Sequence, residues 1–190
     1  FIPIAEETNL IIEIGEWVID KVCEDFRFWQ RSVSSPGRVS VNLSLKQLRQ
    51  PNFTRRISSI LRSYEVSPTS LELEITESAV MNDLEKSAEI IEELRYLGVT
   101  VTMDDFGTGY SSMAYLQRLP LDQLKIDQSF VRDIPHDTND MAISAAVVAM
   151  AGELGLKTIA EGVETTAQAN FLRDHGCPMV QGFLFSRPVP

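Results

Sequence analysis

Positive charge, histidine and cysteine are scarce in this chain of 190 residues. The formal net charge of −10 at pH 7 argues against a broad basic surface for a nucleic acid polymer or an anionic membrane. Cys23 and Cys177 are isolated in apolar segments, so we expect reduced core thiols rather than a disulfide or a metal pair. His136 and His175 lie in polar, turn-like contexts and are expected at the surface.

Long apolar runs and a leader are also missing. No segment approaches the ~18 consecutive apolar residues of a membrane span. The opening FIPIAEE has neither an initiator Met nor a basic n-region, so we expect no signal peptide. With 44% hydrophobic and 23% charged residues, the composition is that of an ordinary soluble globular domain. We expect a cytoplasmic protein, cut from something longer whose other parts could anchor it in a membrane.

Segments with the periodicity of helices and of strands alternate throughout the chain. Apolar residues at steps of three and four, from Ile11 to Trp29, predict a long first helix. Five strand–helix units and a last strand follow, with strands expected at 39–44, 71–76, 99–104, 123–127, 157–160 and 179–185. Such alternation predicts an α/β fold with a parallel sheet and right-handed crossovers.

Polar residues on these strands distinguish the two architectures that such alternation allows. Strands of a doubly wound sheet are covered on both faces and read as apolar runs. Here Ser40, Asn42 and Ser44 alternate with apolar residues, and the next strands repeat that pattern. Polar residues at the carboxyl ends of successive strands are typical of a barrel whose mouth is an active site. We therefore predict that residues 1–190 belong to one (β/α)₈ TIM-like barrel domain.

The most informative segment is MDDFGTGYSS, in which two carboxylates follow an apolar strand. Alternation along the strand puts Asp104 on the polar face and Asp105 where the strand gives way to a loop. Adjacent carboxylates repel one another unless a cation or a shared proton neutralises them, and hard divalent cations prefer oxygen ligands. The alternative is an Asp pair that simply forms a turn at a strand end.

Seven polar side chains would converge at the mouth of such a barrel: Asn42, Glu74, Asp104, Asp105, Lys125, Glu161 and Gln181. One amide oxygen and several carboxylates suit Mg²⁺ or Mn²⁺ and lack the Cys and His that Zn²⁺ favours. Two such ions that share a carboxylate could activate a water and stabilise the leaving oxygen of a phosphodiester. Lys125 could orient that water or counter the developing negative charge.

Each of these side chains also has a purely structural interpretation. Asn42 could be a barrel-interior amide, and Glu74 could form a buried ion pair with Lys125. Glu161 could lie near the start of the following helix as a favourable acid. Gln181 could simply satisfy backbone groups.

Three further residues are expected to be structural. Asp127 is expected to bond Lys125 or a backbone amide. Phe183 and Phe185 are expected to pack rather than to stack on a ligand.

Seven segments, in order, resemble the EAL domain of bacterial cyclic-di-GMP signalling proteins: FIPIAEETNLI, VNLS, LEITES, MDDFGTGYSS, LKIDQSFV, IAEGVET and QGFLFSRP. The resemblance spans essentially the whole chain. It implies a (β/α)₈-type barrel that hydrolyses cyclic-di-GMP to the linear dinucleotide pGpG with Mg²⁺ or Mn²⁺. Such a protein would be a phosphodiesterase of bacterial second-messenger signalling.

The resemblance also implies roles for individual residues. Metal ligands are expected at Asn42, Glu74, Asp104 and Asp105, a metal- or water-binding acid at Glu161, the water-orienting lysine at Lys125, and substrate contacts at Asn42 and Gln181. Glu77 resembles the acid that holds the DFGTGYSS loop in its catalytic position. That loop links metal binding to dimerisation in the family, so a homodimer is expected.

The Glu-Ala-Leu motif that names the family precedes FIP in its members, together with two strands, and neither is in this chain. A metal-ligating Glu and a substrate-contacting Arg go with them. We therefore expect a competent parent enzyme, with fused sensory or GGDEF-type domains, and an inactive 190-residue chain. The alternative function is a non-catalytic cyclic-di-GMP receptor or a protein-interaction module on the same fold.

Overall fold

The computed structural model describes residues 1–32, 37–81, 83–107 and 113–189. They form two compact units, one of residues 1–101 with 118–120 and one of residues 102–117 with 121–190. In the described ranges the strands are β1 (Val39–Leu43), β2 (Leu71–Thr76), β3 (Thr100–Phe106), β4 (Gln123–Ile126), β5 (Lys157–Ala160) and β6 (Met179–Val180). The helices are α1 (Ile2–Glu7), α2 (Leu10–Ser32), α3 (Leu45–Leu48), α4 (Phe53–Ser63), α5 (Glu77–Met81), α6 (Leu84–Leu97), α7 (Met113–Leu116), α8 (Thr138–Glu153) and α9 (Thr166–Asp174).

In the first unit, β1 and β2 pair in parallel, and Asn42 stands opposite Glu74. Every residue of β2 from Leu71 to Ile75 is buried, although two of them are glutamates. Glu72 is 5% exposed and forms an ion pair of 3.2 Å with Arg38. A buried charge requires such a partner, because desolvation alone would cost several kcal/mol. Apolar and acidic residues alternate along β2 as expected, but both faces of the strand are buried, which alternation alone does not predict.

The predicted first helix is confirmed, because α2 runs unbroken through Ile11 and Trp29. The short helix α1 before it was not predicted, and the chain turns between the two at Asn9, whose φ of 62° is left-handed. The buried stripe of α2 advances mainly in steps of four: Ile11, Gly15, Ile19, Cys23 and Phe26. Steps of four drift around a helix of 3.6 residues per turn. Trp29, predicted on the same face as the buried Ile11, is nevertheless 40% exposed, and this part of the prediction is wrong.

In the second unit, β3, β4, β5 and β6 pair in parallel in chain order. Their carboxyl ends therefore lie at one edge, where active sites of parallel α/β folds are found. The prediction of a last strand over 179–185 is wrong, since β6 ends at Val180. Beyond Val180, the backbone of Gly182 lies close to that of Val163, and an added Cβ would collide with the Val163 backbone N and O.

The predicted core thiols and surface histidines are confirmed. Cys23 and Cys177 are both free and buried, and His136 and His175 are exposed. Burial raises the pKa of the Cys23 thiol to about 11 and also raises the pKa of Cys177. In the described part of the chain, no helix has both the length and the apolar character needed to cross a bilayer.

Candidate active site

A β-bulge places the two adjacent aspartates. Met103 pairs with Leu124, but Phe106 pairs with Ile126, so three steps along β3 match two steps along β4. The extra residue lies at Asp104 and Asp105, beside Lys125. A bulge re-aims side chains locally and is frequent next to active sites. Asp105 also has a left-handed φ of 54°, which is uncommon for a residue other than glycine.

The bulge changes what simple alternation predicts for Asp105. Strand geometry would send adjacent side chains to opposite faces. Instead, carboxylate oxygens of Asp104, Asp105 and Glu161 all lie within 4.8 Å of one another. Oδ1 of Asp104 accepts the backbone N–H of Asp105 at 3.0 Å, which helps to hold the bulge. Asp105 was expected where the strand gives way to the loop, and β3 ends one residue later, at Phe106.

Lys125 lies between two of these carboxylates. Its Nζ is 3.2 Å from Oδ1 of Asp104 and 2.6 Å from Oε1 of Glu161. The lysine is only 4% exposed, so its charge needs these partners. Three carboxylates and one ammonium leave a formal charge of two negative on the cluster, which one divalent cation would neutralise. The three carboxylates offer hard oxygen ligands, the type that Mg²⁺, Mn²⁺ and Ca²⁺ accept.

Backbone contacts from both sides fix the segment that carries Glu161. The N–H of Glu161 donates to the carbonyl of Ile126 at 3.1 Å, which extends the pairing of β4 with β5. On the other side, Gln181 donates its N–H to the carbonyl of Ala160 at 2.8 Å and accepts from Val163 at 3.0 Å. Glu161 is thus placed by the ends of two neighbouring strands rather than by a free loop.

The structure brings Asp104, Asp105, Lys125 and Glu161 together, and it places the other predicted residues as follows. Asn42 and Glu74 are register partners in the first unit, where Asn42 is exposed and Glu74 is 7% exposed. Glu77 begins α5 directly after β2 and is 4% exposed. Residues 108–112 of the DFGTGYSS loop lie outside the described residues.

Four of the residues that have structural interpretations lie as follows. Asp127 accepts the backbone N–H of Ser129 at 2.9 Å, so the predicted bond to a backbone amide is confirmed. Gln181 is exposed and its backbone joins Ala160 to Val163. Phe183 and Phe185 are 48% and 67% exposed, so the expectation that they pack is wrong.

Gln168 is a residue that the sequence analysis missed. It occupies the third position of α9 and forms a reciprocal capping box with Thr165. The spacing Thr-x-x-Gln before a helix was the available signal. A capping box alone, however, predicts contacts within the helix end and gives no sign of the long-range contacts that Gln168 makes to Val131 and Arg132.

A model of the EAL domain family matches residues 1–188 of the chain. The chain belongs to the EAL domain family. Members of known structure are TIM-like barrels, so the predicted fold class is confirmed for this EAL chain. The order of its strands and the position of its carboxylates at their carboxyl ends agree with that class.

Two curated relatives come from Pseudomonas aeruginosa. The EAL chain is 45% identical over 190 residues to the bifunctional diguanylate cyclase/cyclic di-GMP phosphodiesterase MucR, and 45% identical over 190 residues to the cyclic di-GMP phosphodiesterase NbdA. Each match covers 100% of the chain, which spans only 28% and 24% of those two proteins.

A solved structure of the PaMucR phosphodiesterase in complex with c-di-GMP has the same fold. It superposes with a TM-score of 0.92 at 45% sequence identity. The match covers 100% of the EAL chain and 83% of the PaMucR chain. The likeness therefore extends through both compact units, each of which has its counterpart in that structure.

Proposed function

We propose that this EAL chain forms part of a metal-dependent phosphodiesterase that hydrolyses cyclic-di-GMP to pGpG in bacterial signalling. The observation that carries the proposal is the cluster of Asp104, Asp105 and Glu161 around Lys125, at the strand ends of a fold shared with phosphodiesterases. Hydrolysis forms one P–O bond to the oxygen of a water and breaks one P–O ester bond of the ring.

The cluster fits a divalent cation by charge and by donor type. We propose Mg²⁺ or Mn²⁺, held by Asp104, Asp105 and Glu161, with two ions in the complete site. Asn42 and Glu74 stay predicted ligands from the family resemblance, and Glu77 stays the predicted partner of the DFGTGYSS loop. A bound ion of this kind polarises phosphoryl oxygens and lowers the pKa of a coordinated water.

Lys125 is the residue proposed to act on the reacting atoms. Its ammonium is buried and held by two carboxylates, so its position is fixed before substrate arrives. A fixed positive charge next to a developing oxyanion lowers the barrier without any reorganisation. The three donors of an ammonium can also orient a water for attack. Gln181 stays a predicted substrate contact, and its backbone links the ends of β5 and β6.

The test is direct hydrolysis by the full-length protein. Incubation with cyclic-di-GMP and Mn²⁺ should yield pGpG, detected by chromatography, and chelation of the metal should stop the reaction. Lys125→Ala should lose this activity. Lys157→Ala is its matched control, because Lys157 is an exposed lysine at the start of β5. Binding of cyclic-di-GMP without product would instead support the receptor alternative and overturn the enzyme proposal.

The proposal extends to the context of the domain. The relatives are about four times longer than this chain, in keeping with fused sensory or GGDEF-type domains. We propose a homodimer, a cytoplasmic location and a single EAL-type domain over residues 1–190. Sedimentation of the full-length protein with and without Mn²⁺ tests the dimer, since a monomer under both conditions contradicts it.

A further inference from the structure

One buried amide joins the loops that follow β4 and β5. Gln168 is 3% exposed, and its Nε2 donates to the backbone carbonyls of Val131 at 3.1 Å and Arg132 at 3.0 Å. Its Oε1 accepts the backbone N–H groups of Glu164 and Thr165, both at 2.8 Å. A primary amide has two N–H donors and two lone pairs, so its full capacity is used.

Helix capping explains only part of these bonds. A capping box requires that the third helical residue accept from the backbone of the N-cap residue, as Gln47 also does for Ser44 in α3. The two bonds from Gln168 to Val131 and Arg132 cross 37 and 36 positions of sequence and contribute nothing to capping. They fix one loop against another, and a fully satisfied buried amide does so rigidly.

The two loops that Gln168 joins lead from the charged residues of the candidate site. Lys125 lies in β4, upstream of Val131, and Glu161 follows β5, upstream of Glu164. The loops also touch at Gly162, where an added Cβ would lie 2.6 Å from Cβ of Gln128. Gly162 has a left-handed φ of 67°, so a side chain there is strained as well as crowded.

We propose that Gln168 is a positioning residue of the candidate active site. By holding the two loops together it keeps the Glu161 carboxylate at Lys125 and at the two aspartates. The inference rests on the proposed function for its effect on turnover, but its effect on cation binding does not require that function. Outer contacts that orient ligands commonly change metal affinity or activity by about 10- to 100-fold when removed.

The test uses Gln168→Met in the full-length protein, a neutral change of similar length that removes all four bonds. The matched control is Ser144→Ala, because Ser144 is fully buried and donates to the carbonyl of Phe130 at 2.8 Å. It thus holds the loop after β4, as Gln168 does, but it holds that loop against α8 and not against the loop after β5. Mn²⁺ affinity is measured by titration calorimetry without substrate, and kcat and KM are measured at saturating Mn²⁺, well below both melting temperatures.

We expect Gln168→Met to weaken Mn²⁺ binding by about 10-fold and to lower kcat by about 10- to 100-fold. Its KM should change less than 3-fold, and Ser144→Ala should keep both constants within about 2-fold at a comparable loss of thermal stability. Equal behaviour of the two variants would overturn the positioning role. If Gln168→Met does not fold, Gly162→Ala tests the same junction, and wild-type constants in that variant overturn the role.

The readouts separate this inference from the proposed function. A wild-type protein that makes no pGpG contradicts the proposed function, while Mn²⁺ affinity still tests Gln168. A wild-type protein that makes pGpG, together with a Gln168→Met variant equal to Ser144→Ala, contradicts only the inference.

Discussion

Nζ of Lys125 lies 2.6 Å from Oε1 of Glu161, and this ion pair joins the ends of two neighbouring strands. β4 supplies the lysine and the end of β5 supplies the carboxylate, whose side chain is 21% exposed. The lysine is therefore buried on the strand side, while the acid reaches the open edge where a ligand would enter. A charge held in this way is available to a substrate without first having to be desolvated.

Lys125 should act mainly on the rate of the chemical step. Lys125→Ala is expected to lower kcat by about 10²-fold or more with little change in KM, because a preorganised charge acts most strongly in the transition state. Steady-state kinetics at saturating Mn²⁺ measure both constants, with Lys157→Ala as the control for the loss of a lysine. A rise in KM at unchanged kcat would make Lys125 a phosphate clamp instead.

Asp104→Asn should abolish hydrolysis and leave the fold intact. The change removes a metal-ligand charge, and it weakens the ion pair with Lys125 while relieving repulsion by Asp105. These opposing effects should keep the free energy of unfolding within ~1–2 kcal/mol of wild type. Urea unfolding and a pGpG assay test this, with the exposed Asp174→Asn as the control. Turnover at the wild-type rate would refute the assignment of Asp104 as a ligand.

Backbone strain at Asp105 can be measured with a pair of variants. Asp105 has a φ of 54°, so Asp105→Gly should be more stable than Asp105→Ala by about 1 kcal/mol. At Asp127, whose φ is −59°, the order should reverse because glycine gains only unfolded-state entropy there. Urea unfolding of the four variants measures both differences. An Asp105→Ala variant at least as stable as Asp105→Gly would mean that the bulge is not strained.

The buried Cys23 should make stability fall at alkaline pH. Burial raises the pKa of its thiol from 9.0 to about 11, so the folded state holds the proton more tightly than the unfolded state. The stabilisation is complete below pH 9 and is lost as the pH rises towards 11. Urea unfolding at pH 8 and pH 10 should show a smaller decrease for Cys23→Ala than for wild type. An equal decrease in both would show that Cys23 does not contribute.

Much of the fold could be predicted because it depends on local patterns. Alternation predicted β2 and β5 at their observed bounds, since alternation of apolar and polar residues is a property of a few adjacent positions. Gly98 marked the end of α6, where its φ of 100° is one that glycine adopts at low cost. The same alternation placed the acidic and amide residues at strand ends, so the candidate carboxylates were identifiable from sequence.

The tertiary structure alone decided how these residues meet. The bulge that turns Asp105 towards Asp104 arises from pairing between β3 and β4, which no window along β3 contains. The close approach of the Gly182 backbone to that of Val163 also joins segments that are distant in sequence. Lys125 could have paired with several acids by sequence, and its distance to Glu161 was set by the register of β4 with β5. Local periodicity thus determined which helices and strands form. Hydrogen bonding between distant segments determined which side chains share a site, because the partner of a strand cannot be read from the sequence of that strand alone.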